Sequence, residues 1–289
     1  MVDPDASATG SARQRFAVTI ASQPGYAHGE AFREAAETVH FALLELGHDS
    51  ILSDRTDHPD RRHIVFGANL ITHLNLPHRL PPRSILYNLE QIYDDSPWLT
   101  ADLLALYRRH IVWDYSVANV AALARHGVAA QLVPIGYVPQ LTRIAPAAQP
   151  DIDVLFVGSL VERRVAVLQA LHDAGANVVP VFGLYGPARD ALIARSKIIL
   201  NLHLYDAKVF EIVRVSYLLA NRCFVVSERG SDPAGEAPFT DGVVFADYPD
   251  LAATCQKFLA DPGARDRIAQ RGFQTMAQRR AADFLRRVV

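Results

Sequence analysis

The chain of 289 residues is poor in cysteine, lacks long apolar runs and has no excess of one charge. Only Cys223 and Cys255 are present, too few for a disulfide framework or a cysteine-rich zinc site. No apolar stretch approaches the roughly 18 to 20 residues that span a bilayer. The formal net charge of -2 provides no general attraction to nucleic acid or an anionic membrane. These absences favour a globular protein, which we expect in the cytoplasm.

Short apolar runs alternate with helical periodicity along most of the chain, which predicts parallel strands covered on both faces. One alternating unit spans residues 15–140 and a second spans 151–278; residues 141–150, with two prolines, form the predicted linker. The small polar residues 1–14 predict a disordered tail, and 279–289 a helix that packs back on the first domain. The predicted fold class is α/β, with two Rossmann-like domains facing each other across a cleft.

A strand–helix–strand pattern over residues 198–228 contains one acidic residue, Glu211, at the predicted start of its helix. A carboxylate at the carboxyl edge of a parallel sheet can accept hydrogen bonds from both hydroxyls of a vicinal diol such as ribose. The alternative is a structural role, in which Glu211 complements the helix dipole and pairs with Arg214 or Lys208.

A second signal is the turn Gly158-Ser159, which lies between a predicted strand and a helix carrying Arg163 and Arg164. Glycine at such a turn allows backbone N–H groups and the helix N-terminus to face an anion. One of the arginines would then bind phosphate through charge-assisted hydrogen bonds. The alternative is a solvated basic helix face. The turn is not a dinucleotide fingerprint, because no G-x-G-x-x-G follows the first strand of either half.

Together these segments resemble the donor-binding half of GT-B glycosyltransferases. The resemblance is greatest to the group-1-like branch found in cell-surface polysaccharide and spore-maturation enzymes. It covers roughly residues 150 to 280 and extends to the later segments 245–251 and 261–272. The first half shares only the general pattern of a Rossmann-like acceptor domain. Two departures are Asn221-Arg222, where relatives commonly have glycine, and the lack of a clear second upstream glutamate. Retaining chemistry is therefore not supported.

The resemblance implies transfer of a sugar from a nucleotide diphosphate sugar to a saccharide, a glycolipid or another hydroxyl acceptor. It implies no metal and no cofactor beyond this co-substrate, and a role in cell-surface polysaccharide or glycoconjugate synthesis. Peripheral contact with a membrane is compatible with it, and a nucleic acid partner is not expected. In this interpretation Glu211 binds the ribose, and the residues around the Gly158 turn face the diphosphate. The predicted donor-binding residues are Gly158, Ser159, Arg163, Arg164, Lys208 and Glu211.

An inverting reaction also needs a base for the acceptor hydroxyl. His28, in the loop after the first strand, titrates in a suitable range, and Glu90, after a later strand, is the rival candidate. Further polar or turn residues at predicted strand ends are expected to line the acceptor side of the cleft. They are Asn88, Gln91, Gly136 and Tyr137.

No metal site is predicted. Asp151 and Asp153 have the D-x-D spacing of a metal-binding motif, but they enter a strand and should lie at the sheet edge opposite the site. Two alternative functions remain open: a nucleotide-sugar epimerase of the same fold, and a non-catalytic nucleotide-sugar-binding module. Replacing Glu211 should abolish nucleotide binding in an enzyme and in a binding module, whereas replacing His28 or Glu90 should affect only an enzyme.

Overall fold

The computed structural model describes residues 12–23, 25–76, 80–205 and 207–289. The predicted tail therefore lies mostly outside the described residues. The described residues form two parallel sheets flanked by helices, which confirms the predicted α/β class with two Rossmann-like domains. Among their helices, none combines the length and the apolar character that crossing a bilayer requires.

The first sheet has six strands in the order β2-β1-β3-β4-β5-β6. Its strands are β1 Arg15–Ile20, β2 Asp49–Ser53, β3 Arg62–Phe66, β4 Ile85–Asn88, β5 Ile111–Asp114 and β6 Ala130–Leu132. Its helices are α1 Arg33–Glu45, α2 Ala68–His73, α3 Ala101–Tyr107 and α4 Val117–Arg125, with 3-10 turns at Ala27–Phe32 and Pro139–Leu141. The four inner strands are almost wholly buried because helices cover both faces, as their unbroken apolar runs indicate, whereas the edge strands β2 and β6 are partly exposed.

The second sheet has five strands in the order β11-β10-β9-β7-β8. Its strands are β7 Ile152–Val157, β8 Val178–Val181, β9 Ser196–Asn201, β10 Val225–Glu228 and β11 Val244–Ala246. Its helices are α5 Glu162–Asp173, α6 Gly186–Ala194, α7 Ile212–Ala220, α8 Pro233–Glu236, α9 Leu251–Leu259 and α10 Pro262–Ala277. The order places β7 beside β9, so the loops that follow these strands emerge side by side.

The last helix, α11 Ala281–Leu285, leaves the second domain and packs against the first. Its residues Ala281, Ala282 and Leu285 are buried in the same apolar cluster as α1. Just before it, the Tyr137 N–H donates to the Arg279 carbonyl at 2.8 Å, and the Ala281 N–H donates to the Tyr137 carbonyl at 3.0 Å. The C-terminal segment therefore ties the two domains together.

The sequence pattern predicts helices that begin at about Glu30 and at Trp98 and an irregular segment between β3 and β4. The structure differs at all three points. Helix α1 begins at Arg33 after a 3-10 turn, rather than at Glu30. Helix α3 begins at Ala101 rather than Trp98, because the Thr100 side chain accepts a hydrogen bond from the Leu103 N–H and caps the helix. Helix α2 lies in a segment for which no helix was predicted.

Candidate functional site

A cavity of about 330 Å³ lies between the two domains at the carboxyl ends of both sheets. The first domain contributes the start of α1 and the segment after β4. The second contributes the turns after β7 and β8, one face of α6 and the start of α7. Carboxyl ends of parallel strands are where ligands bind in this class of fold.

The Gly158 turn and Glu211 both open onto this cavity. A Cβ atom at position 158 would lie 3.1 Å from the Phe156 ring and 3.3 Å from the Arg164 guanidinium, so a larger residue would have to displace one of these neighbours slightly. The Gly158 N–H donates to the Val181 carbonyl at 2.9 Å. This N–H is therefore already hydrogen-bonded within the second domain and is not free for a ligand. The positive charge at the turn comes from Arg164 instead.

Arg164 is a fixed, buried cation in the cavity wall, with a side chain only 2% exposed. Its guanidinium donates to the Leu202 carbonyl at 2.5 Å, the Ser159 carbonyl at 3.1 Å and the His203 carbonyl at 3.3 Å. Burial lowers its pKa to about 10, against the opposing effect of Glu211, so it remains charged at neutral pH. It therefore joins the turn after β7 to the loop after β9 and gives this wall a permanent positive charge.

Glu211 occupies the N-cap position of α7, where its carboxylate faces the cavity and is 11% exposed. Its Oε1 lies 3.9 Å from Arg164 Nη2, and its Oε2 lies 3.2 Å from Arg214 Nη1. Oε2 is buried and accepts no hydrogen bond within the described part of the chain. Glu211 thus retains accepting capacity toward a ligand while cations surround it.

Two predicted donor-binding residues, Arg163 and Lys208, lie outside the cavity lining. The Arg163 guanidinium donates to both oxygens of Glu228, at 2.6 and 2.9 Å, and stacks on the Tyr248 ring. Lys208 Nζ lies 3.2 Å from the same carboxylate. Glu228 is fully buried at the end of β10, and a buried charge requires partners. The ion pairs with Glu228 explain why the Arg163 and Lys208 side chains point away from the cavity.

The cavity also contains residues that the sequence did not single out as ligand contacts. Arg214 and Asn201 line it beside Glu211. From α6, Arg189 Nη2 donates across the domain boundary to Glu34 Oε1 at 2.7 Å. For Arg214 a signal existed, since it follows Glu211 by three positions on a helix. No local pattern links Glu34 to Arg189, because 155 residues separate them.

On the acceptor side, Glu90 reaches the cavity from the segment after β4. Its Oε1 accepts a hydrogen bond from Asn69 Nδ2 at 3.2 Å. Burial raises the pKa of Glu90 to about 7, while the Asn69 hydrogen bond opposes that rise. A carboxylate with this pKa can take up a proton near neutral pH, as a general base must.

Asn88 and Gln91 flank Glu90 but have other partners. Asn88 is buried beneath the cavity, where its amide donates to Asp114 Oδ2 at 2.7 Å. Gln91 lines the cavity and hydrogen-bonds to the backbone of Val209 on the other domain. Burial also raises the pKa of Asp114 to about 7. The segment after β4 thus rests on a buried polar network.

His28 lies at the contact between the domains and is not among the residues that line the cavity. Its Nδ1 is hydrogen-bonded to the Tyr185 hydroxyl at 2.8 Å, and its ring lies against Phe182 with centroids 5.1 Å apart. Both partners belong to the second domain. His28 therefore makes an interdomain contact. A ligand in the cavity would contact Tyr185, which lines it, before it reached His28.

Gly136 and Tyr137 also lie away from the large cavity. Gly136 packs directly against the backbone of Ala281, which explains the glycine, and the Tyr137 hydroxyl is hydrogen-bonded to Thr142 at 2.9 Å. Both border a small recess that is separate from the large cavity, and Gly136 also borders a second one. The C-terminal segment covers this strand end and keeps the two residues from the cleft.

The D-x-D pair lies at the start of β7, at the sheet edge opposite the cavity. Asp151 is paired with Arg195 at 2.5 Å, and Asp153 with Lys197 at 2.7 Å. In the described ranges, no group of three histidine, cysteine or acidic side chains is arranged to hold a metal ion.

Comparison with known proteins gives three kinds of match. Residues 143–286 match a family model described as glycosyl transferase-like. Uncharacterized protein L140 of Acanthamoeba polyphaga mimivirus is 25% identical over 242 residues, which are 80% of this chain and 75% of that protein.

Solved structures of glycosyltransferases share the fold. A sucrose-phosphate synthase from Thermosynechococcus elongatus has a TM-score of 0.59 at 12% identity, covering 96% of this chain and 98% of that one. HepE from Anabaena, in complex with UDP and glucose, has a TM-score of 0.57 at 11% identity, with the same coverages of 96% and 98%. AviGT4, a glycosyltransferase involved in avilamycin A biosynthesis, has a TM-score of 0.56 at 16% identity, covering 95% and 96%.

The matched segment, residues 143–286, contains the Gly158 turn, Arg164 and Glu211, and the matched structures share the two-domain fold. This segment thus resembles the glycosyl transferase-like family, and the chain is a glycosyltransferase with the GT-B fold.

Proposed function

We propose that this glycosyltransferase moves a sugar from a nucleoside diphosphate sugar to a hydroxyl acceptor without a metal ion. We further propose that it works in the synthesis of cell-surface polysaccharide or another glycoconjugate. The observation that carries the proposal is the convergence of Glu211, Arg164 and Glu90 on one cavity. An acceptor of hydroxyl hydrogen bonds, a fixed cation and a titratable carboxylate are the three groups that such a transfer requires.

The donor would bind to the second domain. Glu211 is suited to accept hydrogen bonds from the ribose hydroxyls, because its carboxylate lines the cavity and retains unused acceptor capacity. Arg164 and the partly exposed Arg214 would stabilise the charge that develops on the departing diphosphate. Two side-chain cations can provide this stabilisation without a metal. The Anabaena relative, solved with UDP and glucose, supports a UDP-linked donor.

The acceptor would enter from the first domain, with Glu90 as the general base. The acceptor oxygen attacks the anomeric carbon as the bond from that carbon to the diphosphate oxygen breaks. The hydroxyl proton passes to Glu90, and the diphosphate leaves with the bonding electrons. This direct displacement inverts the anomeric configuration. Glu90 is preferred to His28 because it lines the cavity, whereas His28 is held at the domain contact.

The donor assignment can be tested by thermal shift with nucleoside diphosphates and their sugars. A ligand at 100 times its Kd adds about 2.7 kcal/mol of stability, which raises the melting temperature by roughly 5 °C in a chain of this size. We expect one nucleotide family to produce such a rise. Glu211→Gln keeps the shape but loses charge and one acceptor, so we expect roughly ten- to hundredfold weaker binding.

The matched control is Glu162→Gln, an exposed glutamate in the first turn of α5 that does not line the cavity. It should bind the nucleotide as the wild type does. Failure of every nucleotide to shift the wild-type melting temperature would refute the donor assignment. An unchanged Kd in Glu211→Gln would remove Glu211 from the site.

A further inference from the structure

Gln91 is the side chain that connects the two halves of the proposed site. We propose that it is a positioning residue, which sets the distance between Glu90 on the first domain and Glu211 on the second. This inference rests on the proposed function, since it concerns how the base and the donor-binding carboxylate are brought together. It adds a role for a residue that takes no part in the chemistry itself.

The side chain of Gln91 makes two reciprocal hydrogen bonds with one residue of the opposite domain. Its Nε2 donates to the Val209 carbonyl at 3.2 Å, and the Val209 N–H donates to its Oε1 at 3.3 Å. The Gln91 side chain is buried, with the residue 6% exposed. Both ends of the amide are used, so the pairing requires one donor and one acceptor in a fixed orientation.

On the first domain, the peptide that carries Gln91 is held from behind. The Glu90 carbonyl accepts hydrogen bonds from Asn119 Nδ2 at 2.8 Å and Asn88 Nδ2 at 2.9 Å. The Ile92 N–H donates to Asn119 Oδ1 at 2.9 Å. Both asparagines also donate to the buried carboxylate of Asp114, at 2.7 and 3.1 Å. Residues 90–92 are therefore attached firmly to the first sheet.

On the second domain, Val209 lies two residues before Glu211. Phe210, between them, is 1% exposed and packs against the rings of Phe239 and Phe245, with centroids 5.6 and 5.3 Å apart. The backbone from Val209 to Glu211 is thus anchored in the second core. A shift of this backbone relative to Gln91 would change the separation between Glu211 and Glu90.

Two other contacts between the domains differ from the Gln91 pairing. The Trp98 indole N–H donates to the Tyr205 hydroxyl at 3.1 Å, and Arg189 binds Glu34 at 2.7 Å. Those bonds join two side chains, each of which can rotate. Gln91 instead binds backbone, and it adjoins the proposed base in sequence. Because Gln91 has both features, it is the contact that sets the position of the acceptor domain relative to the donor domain.

The first test is Gln91→Leu, which removes both hydrogen bonds at similar volume. We expect kcat for sugar transfer to fall by about 100-fold, because a misplacement of about 1 Å has an effect of that order. The Kd for the nucleoside diphosphate should change by less than about threefold, since Glu211 and Arg164 stay on their own domain. The matched control is Gln131→Leu, at an exposed glutamine whose Oε1 accepts from the Trp113 indole at 3.0 Å, outside the cavity lining.

The second test is Gln91→Glu, followed as a function of pH. An ionised carboxylate can accept from the Val209 N–H but not donate to the Val209 carbonyl, whereas a protonated one restores both bonds. The ratio of variant to wild-type kcat should therefore rise as the pH is lowered, and the ratio for Gln91→Leu should stay flat. The charged groups that share this cavity are Glu90, Glu211, Glu34, Arg164, Arg189 and Arg214. The added carboxylate would also raise the pKa of Glu90. That change lowers the ratio of variant to wild-type kcat at low pH, so it cannot produce the expected rise.

The two proposals fail in different ways. A wild-type protein that neither binds a nucleotide nor transfers a sugar contradicts the proposed function. An active wild type with an unchanged kcat in Gln91→Leu overturns only the role of Gln91. If Gln91→Leu does not fold, Gln91→Glu decides: a ratio that is flat with pH overturns the positioning role, and a rise toward low pH supports it.

Discussion

The two walls of the cavity place carboxylates in opposite environments. On the first domain, Glu90 and Asp114 are buried. Their hydrogen-bond partners among the described residues are amide groups and backbone N–H groups, and burial raises the pKa of each to about 7. On the second domain, Glu211 and Glu228 are also largely buried, but arginine and lysine side chains surround them. Burial alone would raise the pKa of Glu228, yet its hydrogen bonds from Arg163 and from the His203 N–H lower it.

This difference shows that burial does not by itself determine what a carboxylate can do. Beside neutral amides, a buried carboxylate holds a proton near neutral pH and is suited to proton transfer. Beside guanidinium groups, it stays ionised and accepts hydrogen bonds. In the proposed mechanism, proton transfer therefore belongs to the first domain and donor binding to the second.

The largest effect is expected at Glu90. Glu90→Gln preserves the shape and the hydrogen bond from Asn69 but cannot accept a proton. We expect kcat for transfer to fall by roughly 10²- to 10⁴-fold, the usual contribution of a general base. The Kd for the nucleoside diphosphate should be unchanged, because the proposed donor-binding residues lie on the other wall. Steady-state kinetics and isothermal titration calorimetry measure the two quantities.

Glu90→Gln should also be more stable than the wild type at alkaline pH. The pKa of Glu90 in the folded state, about 7, lies above its ordinary value of 4.5. Ionised Glu90 therefore destabilises the folded state, and this cost disappears as the pH falls toward 4.5. Glu90→Gln should thus exceed the wild type in free energy of unfolding at pH 8, by up to about 3 kcal/mol, and lose that advantage near pH 5.

His28→Ala is the comparison for catalysis. A larger loss of kcat in His28→Ala than in Glu90→Gln would indicate that His28 is the base.

The next effect distinguishes two adjacent arginines on the donor side. Arg163→Met leaves the buried Glu228 carboxylate without its bidentate partner, so we expect unfolding to become easier by roughly 3 kcal/mol. Nucleotide affinity should change little. Arg164→Met removes the cation of the cavity wall and should weaken nucleotide binding strongly. Denaturant melts measure the stability of both variants, and nucleotide titrations at a temperature where both are folded measure their affinities. Weaker nucleotide binding in Arg163→Met than in Arg164→Met would place Arg163 at the diphosphate.

The smallest effect is expected at Asn69. Wild-type kcat should rise with pH through about 7 as Glu90 ionises. Asn69→Leu removes a hydrogen bond that favours the ionised form, so the rise should move to higher pH, by up to about one unit. A pH–rate profile measures it, with Asn177→Leu, at an exposed position on the opposite edge of the second sheet, as the control. A shift to lower pH contradicts the role of Asn69.

Much of the architecture could be predicted because it depends on local patterns. Unbroken apolar runs indicated parallel strands, and the residues that follow β7 and precede α7 indicated Gly158 and Glu211 as candidates. Their convergence on one cavity follows from β7 and β9 being neighbours in the sheet. The choice between Arg163 and Arg164 could not be predicted. Consecutive residues on a helix point about 100° apart, and the buried Glu228 that binds Arg163 lies 65 residues beyond it in the chain.

The sequence by itself determined the two α/β domains, the glycine turn and the acid at the start of α7, since each depends on the order of nearby residues. Tertiary structure alone decided that Glu90 titrates near neutrality, that His28 and Gly136 are taken up by contacts outside the cavity, and that Gln91 binds Val209, which is 118 residues away. The physical reason is that desolvation and hydrogen-bond partners are set by whichever distant elements pack around a side chain, and local spacing does not contain that information.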